Sequence, residues 1–293
     1  MERLEVLKTY KIYIGGKFPR TESARYYSPK NAKGETLGNM CLSSRKDVRN
    51  SVVAARKAFG GWSERAAFNR SQILYRMAEM LEGRRSQFME ELIFQGANKA
   101  SAEKEVNLAI DRLIYYAGWC DKFVQVLSSV NPVSSPHFNF STYEATGVVG
   151  IVAGQETSLI DLVSIVAPVI AGGNTCVVLA NENLPLCAVT FAEVLNSSDL
   201  PGGVVNILTG KQDEMIPALS THMDVNAIAY AGNDADVLKA LQQNAVMNLK
   251  RVRSYDRNWL DAKSQDLYLI SDFQEVKTTW HPIENIGGAT SSY

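Results

Sequence analysis

From residue 148 to residue 245 the chain alternates short apolar runs with helix-length segments, and no other feature narrows its fold as much. The apolar runs are 148–153, 175–179, 204–208 and 227–230; helical segments follow at 158–170 and 186–195, in a short stretch before His222, and at 235–245. A strand with one wet face alternates polar and apolar residues. These runs are apolar almost throughout, which requires a parallel sheet covered on both faces. With right-handed crossovers the result is a doubly wound, Rossmann-like α/β layer. Its first strand opens at Gly147-Val148-Val149-Gly150, which is not a GxGxxG phosphate loop, so the pattern defines a layer without defining a ligand.

Upstream, a short strand at 12–14 turns at Gly15-Gly16, and Ser28-Pro29-Lys30-Asn31 and Lys33-Gly34 mark further turns. Ser44 stands three residues before Asp47, a capping-box spacing, and Val48, Val52, Ala55 and Phe59 then recur at helical intervals until Gly60-Gly61 ends the run. A second helix carries Ile73, Leu74, Met77 and Leu81 on one face, and a third, from near Ser101, aligns Val106, Ala109, Ile110, Leu113 and Ala117. Residues 137–143 alternate as a strand. So does the stretch 272–280, with Val276, Thr278 and Trp280 on one side and Lys277, Thr279 and His281 on the other.

Composition excludes several classes. The 293 residues are 46% hydrophobic and 21% charged with a formal net charge of −1, which predicts neither a nucleic acid nor an anionic membrane as partner. The four cysteines, Cys41, Cys120, Cys176 and Cys187, form no CxxC pair and no disulfide framework, which fits a reducing cytoplasm. The first residues contain no apolar signal region. The most apolar segment, 159–171, is too short to span a bilayer and contains Asp161 and Pro168, so it is expected as a buried helix. His137, His222 and His281 have neither metal-ligand spacing nor a triad pattern, and no metal is expected.

Several runs carry more than pattern: Tyr115-Tyr116-Ala117-Gly118-Trp119, Ala171-Gly172-Gly173-Asn174-Thr175, Leu200-Pro201-Gly202-Gly203-Val204-Val205-Asn206-Ile207-Leu208-Thr209-Gly210 and Asn248-Leu249-Lys250-Arg251-Val252. Together with Tyr10-Lys11-Ile12-Tyr13-Ile14-Gly15-Gly16 and the tail Asp272-Phe273-Gln274-Glu275-Val276-Lys277-Thr278-Thr279-Trp280, they resemble the aldehyde dehydrogenase superfamily in order and spacing, over roughly nine-tenths of the chain. The resemblance implies an NAD(P)-binding domain and a small oligomerisation element built from a mid-chain strand pair and the C-terminal strand. The segment that would carry the catalytic domain is missing between the two matches. In such enzymes a cysteine thiolate attacks the aldehyde and hydride passes to the nicotinamide. A glutamate activates the hydrolytic water, while an asparagine and a backbone N–H hold the oxyanion.

Matched against that pattern, the chemistry is gone. Glu156 in Gly154-Gln155-Glu156-Thr157-Ser158 takes the oxyanion asparagine's place, and an ionised carboxylate donates no hydrogen bond; its plain alternative is a solvated acid near a helix start. Tyr255 falls where the general base belongs, with Asp256 one residue out of register, and tyrosine is a poor base at neutral pH. None of the four cysteines has a setting that would lower its thiol pKa. The ribose-binding Lys-Pro-x-Glu becomes Leu179-Ala180-Asn181-Glu182, the family's Gly-Phe-Gly becomes Gly210-Lys211-Gln212, and its Thr-Gly-Ser, whose serine lies near the pyrophosphate, becomes Ala231-Gly232-Asn233. Glu182, Gly210 and Gly232 are thus remnant cofactor positions, and NAD(P) binding is expected to be weak or lost.

The expected organisation is an NAD(P)-binding-type domain over 1–260 with an oligomerisation strand at 136–145, a C-terminal oligomerisation strand within 261–283, and a flexible tail at 284–293. Phe273, Glu275, Val276, Lys277, Thr278 and Trp280 are the expected interface. The departures resemble the degenerate second module of family-16-type aldehyde dehydrogenases. They imply a pseudoenzyme that assembles with a full-length aldehyde dehydrogenase or with itself. The rival expectations are an NAD-dependent aldehyde oxidoreductase whose site a partner completes, and a nucleotide-sensing regulator.

Overall fold

The computed structural model describes residues 7–283; the expected flexible tail at 284–293 and the first residues of the chain lie outside the described residues. At the N-terminal side β1 (Thr9–Tyr10), β2 (Tyr26–Tyr27) and β3 (Asn39–Cys41) form a small sheet in the order β1-β3-β2. The strand expected at 12–14 is instead two isolated antiparallel bridges, Tyr13 to Ile207 and Ile14 to Lys17, the second closing a tight turn in which Gly15 and Gly16 take φ of 61° and 77°. A side chain at Gly16 would put its Cβ 2.9 Å from the Gly202 backbone, which is why two glycines meet there.

Helix α1 (Arg45–Ser63) starts as the capping box predicts: the Ser44 N–H donates to Asp47 Oδ2 at 2.8 Å, and the Thr21 hydroxyl donates to the same carboxylate at 2.5 Å. It does not stop at Gly60-Gly61. The helix runs on to Ser63 because Trp62, 1% exposed, is anchored in the core with its indole N–H donating to Ile170 O at 3.0 Å. That burial outweighs the roughly 1 kcal/mol each interior glycine costs. Helices α2 (Ala67–Gly83), α3 (Arg85–Phe94), α4 (Lys99–Trp119) and α5 (Phe123–Leu127) follow. The predicted stripes of α2 and α4 are buried, and Asn98 caps α4 by accepting the Ser101 N–H at 2.9 Å.

After β4 (Ser129–Asn131) and β5 (His137–Ala145) comes the predicted layer: β6 (Val148–Val152), α6 (Ile160–Ala171), β7 (Thr175–Leu179), α7 (Leu186–Asn196), β8 (Val205–Leu208), α8 (Gln212–Ser220), β9 (Ala227–Tyr230) and α9 (Ala235–Ala245). Every residue of these four strands is buried, as both-face coverage demands. A fifth strand, β10 (Arg251–Ser254), completes an all-parallel sheet in the order β10-β9-β6-β7-β8. The α/β class expected from the sequence is therefore the observed one. Strand order reverses at β6, which places a topological switch point between β6 and β9.

After the one-turn helix α10 (Tyr268–Ser271), β11 (Gln274–Pro282) pairs antiparallel with β5 of the same chain, from Gln274 opposite Ala145 to Pro282 opposite His137. The resulting sheet has the order β11-β5-β4, so β11 lies at its border. Among the described residues no helix is long and apolar enough to cross a membrane.

Candidate functional site

The loops leaving the carboxyl ends of β6, β9 and β10 enclose a cleft of about 450 Å³ at the switch point. Segments 153–157, 230–234 and 255–260 form its walls, with Asp161 and Gln212 contributing from α6 and α8. Asp161 is 3% exposed. Its Oδ1 accepts the Leu162 N–H at 2.7 Å, whereas Oδ2 has no hydrogen-bond partner among the described residues. Burial pushes this carboxyl up to about 7, with nearby Glu105 adding to the rise and the Thr157 hydroxyl and Leu162 amide opposing it. Glu105, on α4, caps α6 by accepting the Leu159 and Ile160 N–H groups at 2.8 and 3.1 Å.

The far wall is held from beneath. Arg112, fully buried on α4, donates through Nη2 to the carbonyls of Trp259 and Asp261 at 3.0 and 2.8 Å, and through Nη1 to the Ser164 hydroxyl. Tyr255, in the position the resemblance gives to a general base, is buried and donates its hydroxyl to Asp272 Oδ2 at 2.9 Å. Burial first, and then the Asp272 charge, raise its pKa well above that of an ordinary tyrosine, so it abstracts no proton. Asp256 is an exposed loop acid, and Glu156 is likewise exposed, four residues before α6 begins.

No cysteine faces the cleft. All four are buried thiols: burial pushes Cys120 up to about 12 and raises Cys176 and Cys187 as well. Among the described residues no group of three or more His, Cys, Asp or Glu is placed to hold a metal ion.

The remnant cofactor positions are each occupied by contacts within the chain. Glu182 accepts from Lys211 Nζ at 3.1 Å and from the Gln212 N–H at 3.0 Å, so a resident carboxylate sits on the first turn of α8. The Gln212 side-chain amide donates to Ala153 O at 3.0 Å and Ala180 O at 3.1 Å, closing the gap between the ends of β6 and β7. Leu179 is fully buried in the sheet core. Gly210, at φ 146°, lets the chain pass Ser43, whose N would lie 2.9 Å from a Cβ there; Gly232 makes room for the Tyr230 hydroxyl, 2.5 Å from a Cβ at that position. Sequence reasoning singled out Glu182, Gly210 and Gly232 but passed over Gln212 and Arg112 as working residues. It met Asp161 only as an acid in an apolar run, which was the available signal.

The expected interface divides. Phe273 is corrected: 1% exposed, it packs into the core, and its carbonyl accepts from Asn174 Nδ2 at 2.8 Å, because it precedes β11 at the sheet junction. The other five lie on β11. Glu275 pairs with Arg251 at 3.1 Å and Lys277 with Glu144 at 2.8 Å, while the Thr278 and Ser141 hydroxyls are 2.8 Å apart. Trp280 stands edge-on to His137, yet Trp280 and Val276 remain 56% and 57% exposed. No strand pairs with the outer edge of β11 among the described residues.

Comparison with known proteins agrees with the fold. Residues 19–254 match the profile of the aldehyde dehydrogenase family. DhaS of Bacillus subtilis, which bears an aldehyde dehydrogenase name, is 33% identical over 249 residues, covering 83% of this chain and 50% of that protein. Cytosolic 10-formyltetrahydrofolate dehydrogenase of Mus musculus is 32% identical over 262 residues, covering 86% of this chain and 29% of that protein. Among solved structures, HpcC of Thermus thermophilus superposes with a TM-score of 0.81 at 26% identity, over 84% of this chain and 48% of that one. An aldehyde dehydrogenase of Bacillus cereus, solved as its NAD+ complex, superposes at 0.80 with 23% identity, over 84% and 50%, a likeness of fold. The chain spans half the length of the first of these relatives and less than a third of the second.

Proposed function

The chain belongs to the aldehyde dehydrogenase family, and we propose that it acts there as a non-catalytic assembly or regulatory subunit docking on a full-length aldehyde dehydrogenase. The observation that carries this reading is β11: a nine-residue border strand with two large apolar side chains more than half exposed and no strand on its outer edge among the described residues. Such a border is a template for strand addition, in which main-chain hydrogen bonds supply affinity and exposed side chains supply selectivity.

The site supports the non-catalytic half of the reading. The four thiols are buried, Tyr255 is committed to Asp272, and Glu156 offers a developing oxyanion a negative charge. We also infer that NAD(P) binding is weak or lost. Glu182 is engaged by Lys211 and the first turn of α8, and Gln212 closes the adjoining strand ends, so the remnant cofactor positions are taken up by contacts within the chain. Buried, unpaired thiols suit a reducing cytoplasm.

Size-exclusion chromatography with light scattering tests the assembly role. Mixed with a full-length aldehyde dehydrogenase of its source organism, the chain elutes in a larger complex. A chain that stays a monomer beside every such paralogue refutes the proposal. The open cleft at the switch point favours one second reading, an aldehyde oxidoreductase whose site a partner completes. NADH formation from short aldehydes by the isolated chain, lost when one cysteine becomes serine, would establish enzymatic activity instead.

A further inference from the structure

The pairing of β11 with β5 decides which of its main-chain groups face outward. The Thr146 N–H donates to Phe273 O at 3.3 Å and the Ile283 N–H to Pro136 O at 2.9 Å, both continuing the register that sets Gln274 opposite Ala145. Hydrogen-bonded pairs recur at every second residue of an antiparallel ladder. Residues 275, 277, 279 and 281 therefore bond to β5. The N–H and C=O groups of Val276, Thr278 and Trp280 point to the outer edge, where no strand pairs with them among the described residues. Both ends of this open stretch are stopped: the Gln274 carbonyl already accepts from Arg251 Nη1 at 2.7 Å, and Pro282 has no N–H to give. What remains open is symmetric about Thr278.

A stretch with its own centre suits a second copy of itself, because a two-fold axis at Thr278 brings open donors opposite open acceptors. Only whole-residue shifts of that axis keep outward groups facing one another. With the axis at Thr278, Val276 lies opposite Trp280 of the second copy, so the two more-than-half-exposed apolar side chains cover one another. On the other face Glu275 lies opposite His281, an acid against an imidazole. With the axis one residue earlier, Lys277 would meet Lys277 and Val276 would meet Thr278. One residue later, Lys277 would meet His281 and Val276 would meet Pro282. Both shifts set basic side chains face to face and part Val276 from Trp280, so side-chain chemistry admits one register.

We propose that β11 pairs antiparallel with β11 of a second copy about a two-fold axis at Thr278, joining two three-stranded sheets into one. The inference rests on the reading of β11 as a docking strand and adds what that strand grips when the chain is alone. Self-pairing and docking on a full-length aldehyde dehydrogenase are then mutually exclusive, since both use one edge. The edge is short, and the dimer is accordingly weak.

Sedimentation equilibrium of the full chain alone, from about 1 μM to about 1 mM, tests this without any paralogue, so that failure here leaves the docking reading standing. A monomer–dimer equilibrium within that range is expected. The register is read from Thr278→Cys, Lys277→Cys and Thr279→Cys, each treated separately with oxidised glutathione while the four native thiols stay buried. Across the axis the two Cα atoms at position 278 are about 5.5 Å apart, within disulfide reach, whereas those at 277 and at 279 are diagonal neighbours about 7–8 Å apart. Thr278→Cys alone should therefore link readily into a covalent dimer. Thr278→Pro removes an outward N–H and no bond to β5, and should weaken self-association by about tenfold or more. A chain monomeric throughout, linking at 277 or 279 as fast as at 278, or undiminished dimerisation of folded Thr278→Pro each overturns the proposal. Should Thr278→Pro fail to fold, sedimentation of the wild-type chain and the three cysteine variants decide it.

Discussion

Asp161 is the residue whose ionisation the fold opposes most plainly. Its folded carboxyl sits at about 7, and an unfolded aspartate near 3.9. Between those values the folded chain holds the proton and the unfolded chain releases it, so the contribution of this group to stability is greatest at acid pH and declines as pH rises from about 4 to about 7. Asp161→Asn removes that slope. Relative to wild type it should gain stability from pH 4.5 to pH 8, by at most about 4 kcal/mol, on top of any constant offset from the amide. Urea unfolding at the two pH values measures the gain, and an offset identical at both would refute the assignment. The cysteines behave in the opposite sense to reactive thiols. With all four buried and Cys120 pushed up to about 12, a thiol reagent should label none of them rapidly in the native chain and all four after unfolding. Fast labelling of a single native cysteine would reopen the search for a nucleophile.

Among the elements, α1 shows where local rules yield to packing. Gly60 lies inside the helix, and a Cβ there would meet no atom within 4 Å. Gly60→Ala should therefore raise stability by about 0.5–1 kcal/mol, seen as a higher melting temperature. The sequence placed a stop at this glycine pair because the anchor that overrides it, Trp62 against Ile170, joins segments more than a hundred residues apart. The same reason explains what else was legible. β6 to β9 could be read because burial on both faces writes itself into every residue of a strand. β10 was not among the strands expected because it is a border strand with one neighbour, and its Arg251 and Arg253 reach out to Glu275 and Asp272. Phe273 was taken for a contact residue because an alternating tail does not reveal where the core ends. Of the cleft, Tyr255 and Glu156 were found by their places in a resembling pattern, whereas the roles of Gln212 and Arg112 depend on carbonyls from distant segments that no spacing discloses.

For the molecule as a whole, two regions carry the functional reading: the switch-point cleft and the β11 border. Val276→Lys combined with Trp280→Asp places charges on the border strand without touching the core, since both side chains are more than half exposed. The double variant should fold normally and lose co-elution with a full-length aldehyde dehydrogenase, a shift of at least about tenfold in affinity if the two apolar side chains are anchors. A variant that binds as well as wild type would move the contact elsewhere. The cleft should be indifferent to this change, because Arg112 and Glu105 secure it from α4 and not from β11.

One short connection nevertheless ties the two regions. Asp272 gives one oxygen to the Tyr255 hydroxyl and the other to the Arg253 guanidinium, at 3.2 Å, two residues before β11 begins. A single ionised pivot thus clamps the inner lip of the cavity to the root of the outermost ribbon. Asp272→Ala would unlatch both at once, and amide hydrogens at 255–260 and 274–276 should then exchange faster in concert.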